Sequence, residues 1–222
     1  MRPIIILRPE PGASETAARA KKLSLDPRLC PLFEARPIDW EGPPAGQFDA
    51  LLMTSAQAAR LGGSQLSLYK SLPAYAVGRA TAKTMQEEGF GHVVQGERDG
   101  NAIAGRIATD GHRRVLHLGG TTLATIDPGP LTIDRVAVYT IGTRSDVELD
   151  PQLERDAILL VHSPRAGSRL AELIGPDRRS GLHIIAISPA ALNACGAGWA
   201  SGDAPGSPDD ERMLALAARL CE

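Results

Sequence analysis

The residues with which this 222-residue chain could do chemistry fall in six short stretches: Arg8, Thr54-Ser55, Gly78-Arg79, Gly119-Gly120, His162-Ser163 and Ser188. Each follows directly on an apolar run. In a parallel α/β sheet such positions are the carboxyl ends of strands, where these folds keep their ligands. Every one of these residues is small, hydroxylic or basic. Singly, the serines, threonine and glycines read as helix caps and turns. Collectively, several helix N-termini carrying small residues make a surface of free backbone N–H groups that favours carboxylates or phosphates.

Other chemistries find no footing. A Gly-x-x-x-x-Gly-Lys-Ser/Thr loop is absent from the sequence. Gly89-Phe-Gly91 lacks a third glycine and follows a helical run, and Gly196 to Gly202 has the same fault of context, so no dinucleotide site is expected. His162 beside Ser163 lacks the Gly-x-Ser-x-Gly elbow of a hydrolase. Neighbouring strand residues point to opposite faces, so His162 reads as a satisfied polar residue. Histidines 92, 112, 117, 162 and 183 show no ligand spacing, and no metal is expected.

The elements that must position these residues are written twice. Asp49-Ala-Leu-Leu-Met-Thr-Ser55 and Asp156-Ala-Ile-Leu-Leu-Val-His-Ser163 share one grammar: an Asp-Ala entry, a buried strand, a hydroxyl cap, then an Arg- and Ala-containing helix. Ser55 and Ser163 are read as N-caps, with Pro164 well suited to the first helical position. Pro73-Ala-Tyr-Ala-Val-Gly-Arg79 and His183-Ile-Ile-Ala-Ile-Ser188 repeat the pattern downstream, and closing helices are expected over 101–109 and 208–221. Ahead of these lie a strand at 3–7 and a helix over 15–23 capped by Ser14. Residues 31–38, with a proline at each end, read as an exposed strand or linker. The strand at 114–120 is followed not by a helix but by a loop over 121–133, broken by Asp127-Pro-Gly-Pro130. A β-branched strand at 135–141 ends this part, and the second repeated unit begins near Leu149.

The fold class expected is therefore α/β with two parallel-sheet domains. One is discontinuous (1–34 plus 146–222), one is inserted (41–133), and linker strands at 35–40 and 134–145 join them. With 43% hydrophobic and 4% aromatic residues the cores must be aliphatic and alanine-rich. A net charge of −2 argues against a general nucleic-acid binder. Three scattered cysteines suit a reducing compartment. No apolar run approaches the roughly 18 residues of a membrane span, and 4–7 is too short for a signal-peptide core. A soluble, cytoplasmic monomer is the expectation.

The ordered series Leu7-Arg8-Pro9, 49–60, Ala76-Val-Gly-Arg-Ala-Thr-Ala82, Leu116-His-Leu-Gly-Gly120, Val136-Ala-Val-Tyr139, His162-Ser-Pro164 and Ala186-Ile-Ser188 resembles the uroporphyrinogen-III synthase family over nearly the whole chain. The resemblance implies two flavodoxin-like domains, one discontinuous, joined by a two-stranded linker with the active site in the cleft between them. It implies cofactor-free cyclisation of hydroxymethylbilane, a linear tetrapyrrole, with inversion of the last pyrrole ring through a spirocyclic intermediate and loss of water. A carboxylate-rich substrate asks for helix N-termini, hydroxyls and a few arginines. By resemblance Tyr139 assists departure of the substrate hydroxyl; read from the residues alone it is a strand tyrosine packed at a linker. The residues expected to bind substrate are Arg8, Thr54, Ser55, Gly78, Arg79, Thr81, Asn101, Gly119, Gly120, Ser163 and Ser188. Asn101 is equally explained as a helix cap. The departure from the family lies at 121–133, where a helix usually follows the Gly-Gly turn. Two alternatives share this pattern: a cofactor-free two-lobed protein binding an anionic small molecule, and a catalytically silent member of the family. The isomer formed from hydroxymethylbilane separates them, because spontaneous closure yields only type I.

Overall fold

A computed structural model of the chain describes residues 2–96, 99–147, 149, 153 and 155–221. The chain opens with β1 (Pro3–Ile6), α1 (Gly12–Lys22) and β2 (Asp26–Leu29), then passes through β3 (Phe33–Pro37). The middle holds β4 (Ala50–Met53), α2 (Ala56–Leu61), β5 (Ala74–Val77), α3 (Arg79–Glu87), β6 (Val93–Gly96), α4 (Gly100–Thr109), β7 (Arg114–Gly120) and β8 (Thr132–Thr143). The chain finishes with β9 (Ile158–Val161), α5 (Pro164–Leu173), α6 (Pro176–Arg179), β10 (His183–Ala186), α7 (Pro189–Ala194), β11 (Ser201–Asp203) and α8 (Asp210–Cys221). The start of the second repeated unit lies partly outside the described residues.

Two compact units result. One comprises Met1–Glu34 with Gly142–Glu222, the other Ala35–Ile141. In the first, five strands pair in the order β11-β10-β9-β1-β2, every pairing parallel. Read from β2 in chain order this is 2-1-3-4-5, the flavodoxin arrangement. In the second the order is β3-β8-β7-β4-β5-β6, and the pairings from β8 through β6 are parallel. The protein is thus α/β with two mostly parallel sheets. No helix among the described residues is long and apolar enough to cross a membrane.

The strands form where the uninterrupted apolar runs lie. Every residue of β1, β4 and β9 is buried, as central strands covered on both faces must be. Helices close over them with alanines and aliphatic residues: Ala58, Ala59 and Ala82 on one face of the second sheet, Ile103, Ala104 and Ile107 of α4 on the other. Fully burying an aliphatic side chain in such a layer contributes about 1.5–3 kcal/mol.

Ser55, Ser163 and Ser188 all cap as the pattern demands, their hydroxyls accepting from the N–H of Gln57, Ala166 and Ala191. Two local expectations change. Helix α1 starts at Gly12, and Ser14 lies inside its first turn. The Glu10 carboxylate accepts from both the Ser14 N–H at 3.0 Å and its hydroxyl at 2.7 Å, so the acidic side chain before the helix takes the capping role. At α4 the cap is Asp99, accepting from Ala102 N–H at 2.9 Å, and Asn101 is free for another task. Strand β2 lies in a stretch between 23 and 31 to which the sequence pattern assigned no element; it forms at the sheet edge, where its Pro27 is tolerated.

Candidate active site

In the second sheet the strand order reverses between β4 and β7, and the crevice at such a point is where ligands sit. A cleft of ≈ 520 Å³ opens there. Thr54, the first residue after β4, and Val77, at the end of β5, form its floor. The start of α4 supplies Asp99, Gly100 and Asn101, and Tyr139 of β8 stands against them. The remaining wall is residues 122–126, the loop that stands where a helix would otherwise follow the Gly-Gly turn.

Each wall is held by a specific contact. Gly119 and Gly120 end β7, and the pairing with β8 shifts there: Gly119 faces Ala137 but Gly120 faces Tyr139, leaving Val138 as the extra residue of a β-bulge. A bulge re-aims the side chains beside it, and the Tyr139 ring covers Gly120 so closely that a Cβ at position 120 would lie 2.9 Å from Cζ. The Tyr139 carbonyl accepts from Thr121 N–H at 3.0 Å, and the residue is 8% exposed. Its hydroxyl has no hydrogen-bond partner among the described residues. The loop wall is pinned by Asn101, whose Oδ1 accepts from Asp127 N–H at 2.9 Å, and by Ile126 packed on Gly100. Beneath the floor, the Thr54 hydroxyl lies 3.2 Å from His117 Nε2. Burial, seconded by Arg135, pushes the His117 pKa down to about 4. No cation lines the cleft among the described residues, so its donors are uncharged.

Against this geometry the family comparison is decisive. The model of the family described as uroporphyrinogen-III synthase HemD matches residues 14–215. The chain belongs to the uroporphyrinogen-III synthase family. Its structure is similar to that of the uroporphyrinogen-III synthetase of Helicobacter pylori, with a TM-score of 0.66 and 20% identity over 99% of this chain and 100% of that one. It also aligns with the uroporphyrinogen III synthase of Thermus thermophilus at a TM-score of 0.43 and 15% identity, over 100% and 98% of the two chains. Comparison with curated proteins gave no match. Membership makes the chain a cyclising lyase of haem biosynthesis that acts on a small tetrapyrrole.

Of the residues singled out in this uroporphyrinogen-III synthase family chain, Thr54, Asn101 and Tyr139 meet in the cleft, with Gly119 and Gly120 behind its wall. Gly78 opens α3 with φ 85°, a conformation suited to glycine. Arg79 beside it is exposed, whereas Thr81 is buried. Ser55 caps α2 beside Thr54. Arg8, Ser163 and Ser188 belong to the first unit, after β1, β9 and before α7. There Arg8 is not an isolated cation. Its Nη1 lies 3.3 Å from Thr16 Oγ1 and 3.7 Å from Asp210. Asp210 also accepts from Thr16, from Arg19 and, at 2.8 Å, from His162. Burial would raise the Asp210 pKa, but the hydrogen bonds from His162, Arg19 and Thr16 outweigh it and hold the carboxyl far below the usual range. His162 is therefore hydrogen-bonded through Nε2, by a partner forty-eight positions away in the chain, but the expected satisfaction is only half met, since its Nδ1 is buried without a partner among the described residues.

Sequence reasoning missed Val77, Asp99 and the loop wall 122–126. The signal for the loop was present: it comes one residue after Gly119-Gly120, at a strand end, and consists of Thr, Leu, Ala and Ile without charge.

Proposed function

We propose that the protein is a uroporphyrinogen-III synthase: it closes hydroxymethylbilane into uroporphyrinogen III, inverting the last pyrrole ring and releasing water. The observation that carries this reading is the family match along residues 14–215. Two tasks divide the reaction. The terminal hydroxyl must leave, and the linear chain must be curled so that the unexpected ring position attacks.

We assign the first task to Tyr139. What supports it is position: a hydroxyl without a protein partner among the described residues, on the wall of a cleft at the strand-order reversal. A phenol is an uncharged donor at neutral pH. Its proton passes to the departing oxygen, which takes the C–O bond pair and leaves as water; the closing ring returns a proton later. A positioned donor of this kind supplies about 10²–10⁴-fold. The second task is orientation, assigned in this unit to Thr54, Ser55, Gly78, Arg79, Asn101, Gly119 and Gly120. Arg8, Ser163 and Ser188 are assigned as carboxylate contacts on the first unit. We further place the protein in the cytoplasm as a monomer, which fits free Cys30, Cys195 and Cys221.

The test is the product. Hydroxymethylbilane incubated with the purified protein should give type III uroporphyrinogen, where the enzyme-free control gives type I. A product mixture indistinguishable from the control would defeat the proposal.

A further inference from the structure

His117 is the most buried polar side chain near the cleft, at 0% exposure in the middle of β7. It is flanked by Leu52 of β4 and Arg135 of β8, on the sheet face that also carries Val115, Leu52 and α4. An imidazole so placed displaces an aliphatic side chain from the core, and such a group is expected to be hydrogen-bonded. One nitrogen is: Nε2 lies 3.2 Å from Thr54 Oγ1. The other, Nδ1, is buried with no partner.

The ring is neutral, as burial requires, so it carries a single N–H. With the proton on Nδ1, a buried donor would be left with nothing to bond, and orphaned N–H groups are the rarer and costlier kind. With the proton on Nε2, the imidazole donates to Thr54 Oγ1 and the unpaired nitrogen is only an acceptor. The second arrangement decides what Thr54 does. Its oxygen is occupied as acceptor by His117, and its own O–H has no other partner among the described residues, while the side chain lines the cleft.

We infer that His117 is a positioning residue: its Nε2–H fixes the Thr54 hydroxyl so that the Thr54 O–H donates into the cleft, to a carboxylate of the tetrapyrrole. The inference rests on the proposed function for the identity of that acceptor. It explains how a cleft without a described cation holds an anionic group: the hydroxyl is oriented in advance and loses no rotational freedom on binding.

Two measurements test it on the intact protein. The first needs no substrate. In long-range ¹H–¹⁵N spectra of ¹⁵N-labelled protein between pH 6 and 8, the histidine signal that is lost in His117→Leu should show protonated Nε2 and bare Nδ1, unchanged across the range. A protonated Nδ1 at His117 overturns the inference whatever the substrate is. The second is kinetic. Thr54→Val should raise KM about 10–100-fold, the range for a hydrogen bond to a charged group, with kcat little changed. His117→Leu, close in volume to the original ring, should raise KM less, and His117→Gln, whose amide can reproduce the Nε2 donor, should restore it. Thr54→Val combined with His117→Leu should be no worse than Thr54→Val alone, because the imidazole acts only through the hydroxyl. Additive losses would overturn the positioning role. A wild-type protein that yields only type I would instead bring down the proposed function and with it the carboxylate acceptor, while the tautomer stays readable.

Discussion

Replacing Gly120 with alanine tests the placement of Tyr139 without touching its chemistry. The added Cβ would lie 2.9 Å from Cζ, 3.0 Å from Cε2 and 3.1 Å from the hydroxyl oxygen. Carbon atoms at rest keep about 3.5–4.0 Å apart, so something must retreat by roughly 0.6–1 Å. The backbone is ill placed to do so, since Gly120 faces Tyr139 in the β7–β8 ladder and the Thr121 N–H is bonded to the Tyr139 carbonyl. The ring must therefore swing. Overpacking of this kind costs about 1–3 kcal/mol of stability, a fall of roughly 2–12 °C in Tm for a chain of this size. A reacting group displaced by about 1 Å costs up to ~10²-fold in rate. We expect Gly120→Ala to turn over hydroxymethylbilane about 10–100-fold more slowly, still forming type III. Gly119→Ala is the control. Its Cβ would meet Leu123 Cδ2 at 2.5 Å, but that contact is the flexible end of a loop side chain, which can turn aside. Gly119→Ala should lose much less rate. If Gly120→Ala runs at the wild-type rate with the ring shown to have moved, Tyr139 is not a donor and the assignment is withdrawn.

Three further outcomes are expected. Tyr139→Phe should lose about one to three orders of magnitude in turnover with Tm little changed and type III retained; wild-type turnover would reduce the residue to packing. His117 should make stability pH-dependent. Its folded pKa of about 4 lies below the ordinary 6.5, so between those values the unfolded chain binds more protons, and stability falls as pH drops through the window, by about 3 kcal/mol in full. Urea unfolding of His117→Leu should show that part of the slope gone; a slope equal to wild type would contradict it. Asp210→Ala should cost about 2–3 kcal/mol by stranding Arg19, His162 and Thr16. That is somewhat less than the roughly 3–5 kcal/mol of a fully buried pair, because Arg19 is 36% exposed. An unchanged denaturation midpoint would mean that the network adds no net stability.

What the sequence determined by itself is local. Four-residue apolar runs such as Ile158–Val161 read as buried strands, and serines ahead of helical spacing read as caps, rightly at Ser55, Ser163 and Ser188 and wrongly at Ser14, because both signals act over a turn or less. The ordered motifs also carried the family. The tertiary structure decided everything that depends on partners far apart in the chain. Strand order is set by packing, so neither the reversal between β4 and β7 nor edge strand β2 with its proline could be read locally. The bulge that turns Tyr139 over Gly120 exists only in the pairing of two strands. Thr54 meets His117 and His162 meets Asp210 across sixty-three and forty-eight positions, and Asn101 exchanges an expected cap for a grip on Asp127. A hydrogen bond carries no signature in residue type until the fold brings donor and acceptor within about 3 Å. The chemistry of this site is built almost wholly from such pairs.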